Sequence, residues 1–355
     1  MMDSGIDGLF GKFTDDSLVD MSLDSSSMLE MMLEAESPQS NMSFDEPITP
    51  LLQKHHRCVE RAKISYTRQF GQYGVNPGQF SEPSGIAATI DNDIAITDTN
   101  NHRVQIYNKE GQFLFQFGER GKRDGQLYYP HRITVSPVTG EFIITERSPS
   151  NQIQIFCADG RFVRKFGAAI LQHPRSICVD YQNFVIVVEC KVKRIVIFDA
   201  KGNVFSNFYC VGQLQFPNCV CANDRNQLFI SDNREHCIKV FSYHGEFFRQ
   251  IGCPGITNFP VGVAIDGFGN LVVCDNHNYF HVTVFDQEGN FIKAYESTAK
   301  HLPCFDSVIM HAGYVAIASK DYRVYIYQYE AMDNKAPNLF DITIPQSNLF
   351  SSFTS

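Results

Sequence analysis

The stretch Pro83-Ser-Gly-Ile-Ala-Ala-Thr-Ile-Asp-Asn-Asp-Ile-Ala-Ile-Thr-Asp-Thr-Asn-Asn-His-Arg-Val-Gln-Ile-Tyr-Asn-Lys-Glu-Gly-Gln-Phe-Leu-Phe-Gln-Phe-Gly118 holds one complete structural unit. Four short runs rich in β-branched and aromatic residues follow one another: Gly85-Ile-Ala-Ala88, Ile94-Ala-Ile-Thr-Asp98, Val104-Gln-Ile-Tyr107 and Phe113-Leu-Phe-Gln-Phe117. Polar and Gly-containing turns separate them, which is the signature of strands. No segment within it has a helix-length 3.6-residue period, so a (β/α) barrel is disfavoured.

The unit recurs. Pro83, Pro130, Pro174, Pro217, Pro260 and Pro303 stand 47, 44, 43, 43 and 43 residues apart. Each is followed by the same succession of runs, and the second run ends in an acid in five repeats: Asp98, Glu146, Glu189, Asp232 and Asp275. Four strands per ~43 residues is the arithmetic of a propeller blade, and six repeats make an all-β, six-bladed β-propeller. Its sixth repeat has only three strands. Ahead of the first repeat lies an orphan run, Ile64-Ser-Tyr-Thr-Arg-Gln-Phe-Gly71, which matches fourth-strand runs such as Phe162-Val-Arg-Lys-Phe-Gly167. This N-terminal strand is expected to complete the last blade and remove the open edge.

Charge divides the chain. Of 355 residues, 43% are hydrophobic and 19% charged, with net charge -9. Residues 1–50 hold eleven Asp and Glu against one basic residue, Lys12, while the rest is close to neutral. The domain reading is a disordered acidic tail (1–50), a basic linker (51–63), the propeller (64–330) and a C-terminal tail (331–355). Within the first tail, the segment from Ser27 to Glu36 has an amphipathic pattern and reads either as solvated chain or as a partner-binding motif. No apolar run approaches the ~18 residues of a membrane span. No basic patch leads into an apolar run at the N-terminus, and the eleven cysteines form no Cys-x-x-Cys pair, so reduced thiols in a cytoplasmic protein are expected.

Without Trp, the WD signature is absent, and without a Gly-Gly pair kelch repeats are disfavoured. The string Asp98-Thr-Asn-Asn-His-Arg-Val-Gln-Ile-Tyr107 resembles the NHL repeat, with degenerate copies at Asp232-Asn-Arg-Glu-His-Cys-Ile238 and Asp275-Asn-His-Asn-Tyr-Phe-His281. More narrowly, Gly118-Glu-Arg-Gly-Lys-Arg-Asp124, Thr145-Glu-Arg-Ser-Pro149, Val188-Glu-Cys-Lys191 and Ala318-Ser-Lys-Asp-Tyr-Arg323 are similar to the TRIM-NHL family. That resemblance implies translational repression of target mRNAs, a propeller that binds single-stranded, U-rich RNA of 3' untranslated regions, and protein co-repressors. B-box ligands, RING and coiled-coil heptads are absent from this sequence, so the resemblance implies nothing about ubiquitin transfer.

In a four-strand meander, the loop entering strand A and the loop between strands B and C share one face. That face gathers Tyr129, His131, Arg132, His173, Arg175, Phe216, Asn218 and Phe259 from the entry loops. The B–C loops add Asn100, His102, Arg147, Cys190, Lys191, Asn233, Arg234, Asn276 and His277. Aromatic and guanidinium planes stack on bases, amides read base edges, and Arg and Lys meet phosphates. Residues 119–194 carry +5 and residues 201–330 carry -3, so blades two and three are the expected electrostatic entry.

Structural roles compete with binding at each position. The recurring acids are expected to accept backbone N–H bonds in the B–C loop rather than touch a ligand. The Asn residues serve turns as readily as ligands. Tyr129, Phe216 and Phe259 either stack on a ligand or pack between blades. Arg147 and Arg175 break the repeat symmetry, which favours binding. The family resemblance implies RNA contacts for Asn100, His102, Tyr129, Arg147, Arg175, Cys190, Lys191, Phe216, Asn233, Phe259 and Asn276, and Arg234 joins them by its loop position. No His-Glu-x-x-His, zinc-spaced Cys/His or Gly-x-Ser-x-Gly motif occurs, so no catalytic residue, metal or cofactor is expected. A lyase-like channel set of His102, His236 and His277 is the minor alternative. The partners expected are RNA and protein, not DNA or membrane, for a monomeric chain. The rival reading is a scaffold whose propeller face grips a peptide or repressor partner.

Overall fold

The computed structural model describes residues 59–276 and 279–330; the acidic tail, most of the linker and the 331–355 tail lie outside these residues. Strands A to D run as follows, blade by blade. Blade 1 has Pro83–Ala88, Ile94–Asp98, Arg103–Tyr107 and Phe113–Phe117. Blade 2 has Pro130–Val135, Phe142–Glu146, Ile153–Phe156 and Phe162–Phe166. Blade 3 has Pro174–Val179, Val185–Glu189, Arg194–Phe198 and Val204–Tyr209. Blade 4 has Pro217–Ala222, Gln227–Asp232, Cys237–Ser242 and Phe247–Ile251. Blade 5 has Pro260–Ile265, Leu271–Asp275, His281–Phe285 and Phe291–Ser297. Blade 6 has Cys304–Met310, Tyr314–Ser319 and Val324–Gln328, and its strand D is Tyr66–Phe70. That last strand pairs antiparallel with strand C, Tyr66 opposite Tyr327 and Phe70 opposite Val324. The fold is thus the six-bladed β-propeller closed by its N-terminal strand.

The N-terminal segment does more than close the ring. Where one strand was expected, two form: β1 (Ala62–Ile64) and β2 (Tyr66–Phe70). β1 runs parallel to the outer strand of blade 5, with Lys63 opposite Glu296, and makes that blade five-stranded. β2 then crosses to blade 6.

Apolar side chains meet between blades rather than within them, in six clusters among the described residues, one at each seam. Val104, Ile106, Ile133 and Phe142 fill the seam of blades 1 and 2; Ile86, Ile94, Met310 and Ile326 fill that of blades 6 and 1. The seams share a lock on the outer rim. A Cβ at Gly111, Gly160, Gly202 or Gly245 would lie 2.6–2.8 Å from Phe70, Phe117, Phe166 or Phe208, an aromatic at or next to the end of the preceding blade's strand D. Each of these glycines has φ between +81° and +88°, which a side chain resists in any case. Phe70 of β2 occupies in blade 6 the place that Phe117 and Phe166 occupy in their blades.

Candidate nucleic-acid interface

Strands A and B pair so that each proline lies opposite the acid: Pro83 with Asp98, Pro130 with Glu146, Pro174 with Glu189, Pro217 with Asp232 and Pro260 with Asp275. The buried carboxylate therefore lies beside the residues that precede the proline, and it accepts their main-chain N–H groups. Donors are Ser81 and Glu82 to Asp98, Tyr128 to Glu146, Gln172 and His173 to Glu189, Gln215 and Phe216 to Asp232, and Asn258 to Asp275. This corrects the expectation of B–C loop donors, of which Glu235 to Asp232 is an example at 3.3 Å. The acids are clamps on the entry loops, and those loops present the aromatic candidates.

Two of the aromatics are presented differently. Tyr129 and Phe259 immediately precede their prolines, and both adopt the left-handed region, with φ 53° at each. Their N–H groups turn away from their own blade's acid and are taken at 3.1 Å by the Nδ1 atoms of His102 and His236, from the blade before. The imidazoles also flank the rings, with centroids 4.6 Å apart for His102 and Tyr129 and 4.4 Å for His236 and Phe259. Tyr128 also stacks on His102, 5.5 Å away, and meets the ring of Tyr129 edge-on at 4.9 Å, so the three rings form one cluster. Burial, reinforced by Arg120, lowers the pKa of His102, which keeps Nδ1 an acceptor. Blades 2 and 5 are three steps apart in a ring of six, so the two presented aromatics lie on opposite sides of the channel mouth.

Arg147, Cys190, Asn233 and Asn276 share one register, the residue after the acid. The N–H of Arg147 is donated to Tyr129 O and that of Asn233 to Phe216 O, which ties B–C loops to entry loops on one face. The side chains of this register reach different partners. Arg147 pairs with Glu82 of blade 1 at 2.8 Å. Asn233 is buried and donates to Pro260 O at 3.4 Å, and Asn276 accepts the N–H of Cys304 at 3.3 Å, so both amides span seams. Cys190 is half-buried, and burial pushes its thiol up to about 11, so it meets the face uncharged. One residue further on, Asn100, Lys191 and Arg234 are exposed.

Arg175 donates Nε–H to Asn218 Oδ1 at 2.9 Å and lies over the ring of Phe216, 5.8 Å from its centroid. Burial and the neighbouring Arg132 lower its pKa to about 10, leaving it a cation at neutral pH. His131, Arg132 and Asn218, expected on the face, are buried instead. They begin strand A and turn into the channel. Arg132 donates to the carbonyls of Ser84, Arg175 and Phe305 and pairs with Asp306 at 3.3 Å, joining blades 1, 2, 3 and 6. Asn218 carries the chain of bonds on to Val261 O.

Reading the sequence residue by residue missed Glu82 as part of the face and named His236 only within the minor lyase-like channel set. His236 stands four residues after Asp232 as His102 stands four after Asp98, and that spacing was the available signal. His277 lies outside the described residues. Among the described residues no cluster of three or more His, Cys, Asp or Glu is placed to hold a metal ion.

The NHL repeat model matches residues 80–107 and 214–241, the stretches that contain His102 and His236. The chain is 66% identical over 271 residues to protein brain tumor of Drosophila melanogaster, covering 76% of this chain and 26% of that protein. It is 57% identical over 285 residues to the B-box type zinc finger protein ncl-1 of Caenorhabditis elegans, covering 80% of this chain and 34% of that one. This chain belongs to the NHL-repeat family. The two matches, over most of its length, place it with the TRIM-NHL members of that family. The NHL chain spans about a quarter and a third of the lengths of these relatives. Its fold is shared more widely: a streptogramin B lyase superposes with TM-score 0.55 over 75% of this chain and 88% of that chain at 16% identity. A Bacteroides thetaiotaomicron protein of unknown function gives 0.59 over 75% and 76% at 14% identity. At such identities the likeness concerns the fold alone.

Proposed function

We propose that this NHL propeller binds short single-stranded, U-rich RNA across the face formed by its entry and B–C loops, and represses the target mRNAs by recruiting protein co-repressors in the cytoplasm. The observation that carries this reading is the pair of left-handed aromatics, Tyr129 and Phe259, each presented by a histidine of the neighbouring blade. Left-handed backbone at a bulky aromatic is the kind of outlier that clusters at ligand sites, and rings held in place in this way can stack on bases. Arg175 over Phe216 offers a third plane. Arg147 and Lys191 supply cations on the basic side of the ring. Kinship with brain tumor and ncl-1 supports a post-transcriptional regulatory role. Selection of a random RNA pool on the full chain, followed by footprinting on alanine variants of Tyr129, Arg175 and Phe259, tests it. Recovery of no common single-stranded motif would overturn it.

The scaffold reading places a protein partner on the entry and B–C loop face; the opposite face offers a different surface for one, since four A–B turns there carry exposed apolar tips: Ile90, Val138, Tyr181 and Phe268. A protein partner there is compatible with RNA on the first face. No helix among the described residues is long and apolar enough to cross a membrane.

A further inference from the structure

In blades 1 to 4, a polar side chain of strand C ties the entry loop to the blade. It always reaches the carbonyl four residues before the proline. Gln105 donates to Gln79 O and Gln154 to Gln126 O, each at 2.7 Å; Arg194 donates to Ile170 O at 2.7 Å, and Lys239 to Gln213 O. The same strand supplies the acid's partner: Arg103 for Asp98, Gln154 for Glu146, Arg194 for Glu189 and Lys239 for Asp232.

Blade 5 breaks this rule in its own sequence. Its strand C carries Thr283 in the register of Gln105, Gln154 and Lys239, opposite Val273, and His281 opposite Asp275. Thr283 is too short to do more than approach Ile256 O, at 3.4 Å. The equivalent carbonyl, again four residues before the proline, is taken instead by Arg61 Nη2 at 2.7 Å, while Arg61 Nη1 meets Thr283 Oγ1 at 3.4 Å. Arg61 lies just ahead of β1, 195 residues from Ile256 and 222 from Thr283 in sequence. Asp275 accepts the N–H of Asn258 through Oδ1, but among the described residues its buried Oδ2 has no hydrogen-bond partner, unlike the acids of blades 1 to 4. Burial holds the Asp275 carboxyl well above the usual carboxylate range, opposed by the Asn258 N–H and by the charge of Arg61. On the outer side of β1, Lys63 pairs with Glu296 at 2.7 Å, and Glu296 also faces His281 Nε2 at 3.9 Å.

We propose that Arg61 is the strand-C base that blade 5 lacks, supplied from the N-terminal segment, and that it positions the loop from Cys253 to Asn258 that presents Phe259. The ring then begins functionally at Arg61, not at the closing strand β2. Arg61 is a positioning residue: it acts on the face through Ile256 and Asn258. The link from this loop to ligand affinity rests on the RNA reading above, whereas the role of Arg61 in the loop does not.

Hydrogen exchange on the full chain, read by peptide mass spectrometry, tests it. Arg61→Ala is expected to speed exchange of the peptide spanning residues 253–260 by about tenfold, while the corresponding loop of blade 2, residues 120–129, keeps its protection. Arg61→Lys, which reproduces the single amine of Lys239 in blade 4, restores part of it. Adding Thr283→Gln to Arg61→Ala places an amide in the register of Gln105 and Gln154 and rescues the loop, which also answers a variant that simply folds poorly. At a pH high enough to ionise Asp275, Arg61→Ala costs less thermal stability in the Asp275→Asn background than in wild type, because no buried charge is then left uncompensated. U-rich RNA affinity falls and recovers in step with the exchange if the RNA reading holds; a wild-type protein without RNA affinity overturns that reading and leaves the exchange result standing. Unchanged exchange at 253–260 in Arg61→Ala, or no rescue by Thr283→Gln together with an equal cost in both Asp275 backgrounds, overturns the role of Arg61.

Discussion

The Nδ1 atom of His102, on blade 1, accepts the main-chain N–H of Tyr129, on blade 2, at 3.1 Å. The bond crosses a seam and stabilises a backbone conformation that a tyrosine resists. His236 and Phe259 repeat it three blades further on. The consequence is a chemical condition: a histidine protonated at Nδ1 cannot accept this bond.

Stability should therefore depend on pH with a definite sign. Burial lowers the folded-state pKa of His102, and more strongly that of His131, relative to the ordinary value of about 6.5. A histidine with a depressed folded pKa binds more protons when unfolded, so its contribution is fully present above the unfolded value of about 6.5 and is lost as pH falls from there through the folded value. Thermal melts from pH 7.5 to 5.5 should show a falling Tm, and His102→Leu should flatten part of the fall. A Tm that rises on acidification would contradict this.

Arg147 is held by Glu82 across the first seam, half-exposed, where an ion pair is worth ~0–1 kcal/mol. Arg147→Ala should leave the melting temperature nearly unchanged and weaken RNA binding by ~1–3 kcal/mol. Glu82→Gln, which releases the same guanidinium, should strengthen binding and steepen its salt dependence. Fluorescence anisotropy at two salt concentrations reads both effects.

Arg175 combines a hydrogen bond to Asn218 with a position over Phe216. Lysine keeps the charge but loses the planar fork. Arg175→Lys should recover less than half of the binding energy lost in Arg175→Ala, as measured by calorimetric titration with the same oligonucleotide.

Phe70 fills the rim lock of blade 6, beneath Gly111 of blade 1. Phe70→Ala should destabilise the ring by ~3–5 kcal/mol. Gly111→Ala meets both Phe70 and a φ of +81°, and should cost stability without changing any contact of the RNA face. Removal of residues 64–71 should abolish cooperative unfolding in urea rather than shift its midpoint.

The propeller was legible because its signal is repeated. Six prolines at nearly constant spacing fix the blades, and the missing fourth strand of blade 6 predicts β2. The parity of the meander also predicts that Tyr129 and Arg147 share a face, as the bond from Arg147 N to Tyr129 O confirms. What escaped was the direction of side chains at strand ends. Arg132 and Arg175 both lie near a proline and read alike as surface cations, yet Arg132 is buried among the carbonyls of Ser84, Arg175 and Phe305. Asn233 and Asn276 read as ligand amides, and the structure sends them across seams. The extra strand β1 was invisible because three residues, Ala62-Lys-Ile64, carry no periodic pattern, and their partner strand lies more than 200 residues away.

The most direct measurement is a titration of the full chain, and of Tyr129→Ala, Phe259→Ala and their double variant, with a labelled U-rich single-stranded RNA, each protein's melting temperature being recorded alongside. Binding by the wild-type chain, with each single variant weaker by ~1–3 kcal/mol at little change in Tm and the double variant weaker still, is the expected result. Equal affinity across the four proteins, or no saturable binding by the wild type, would contradict the assignment of this face to RNA.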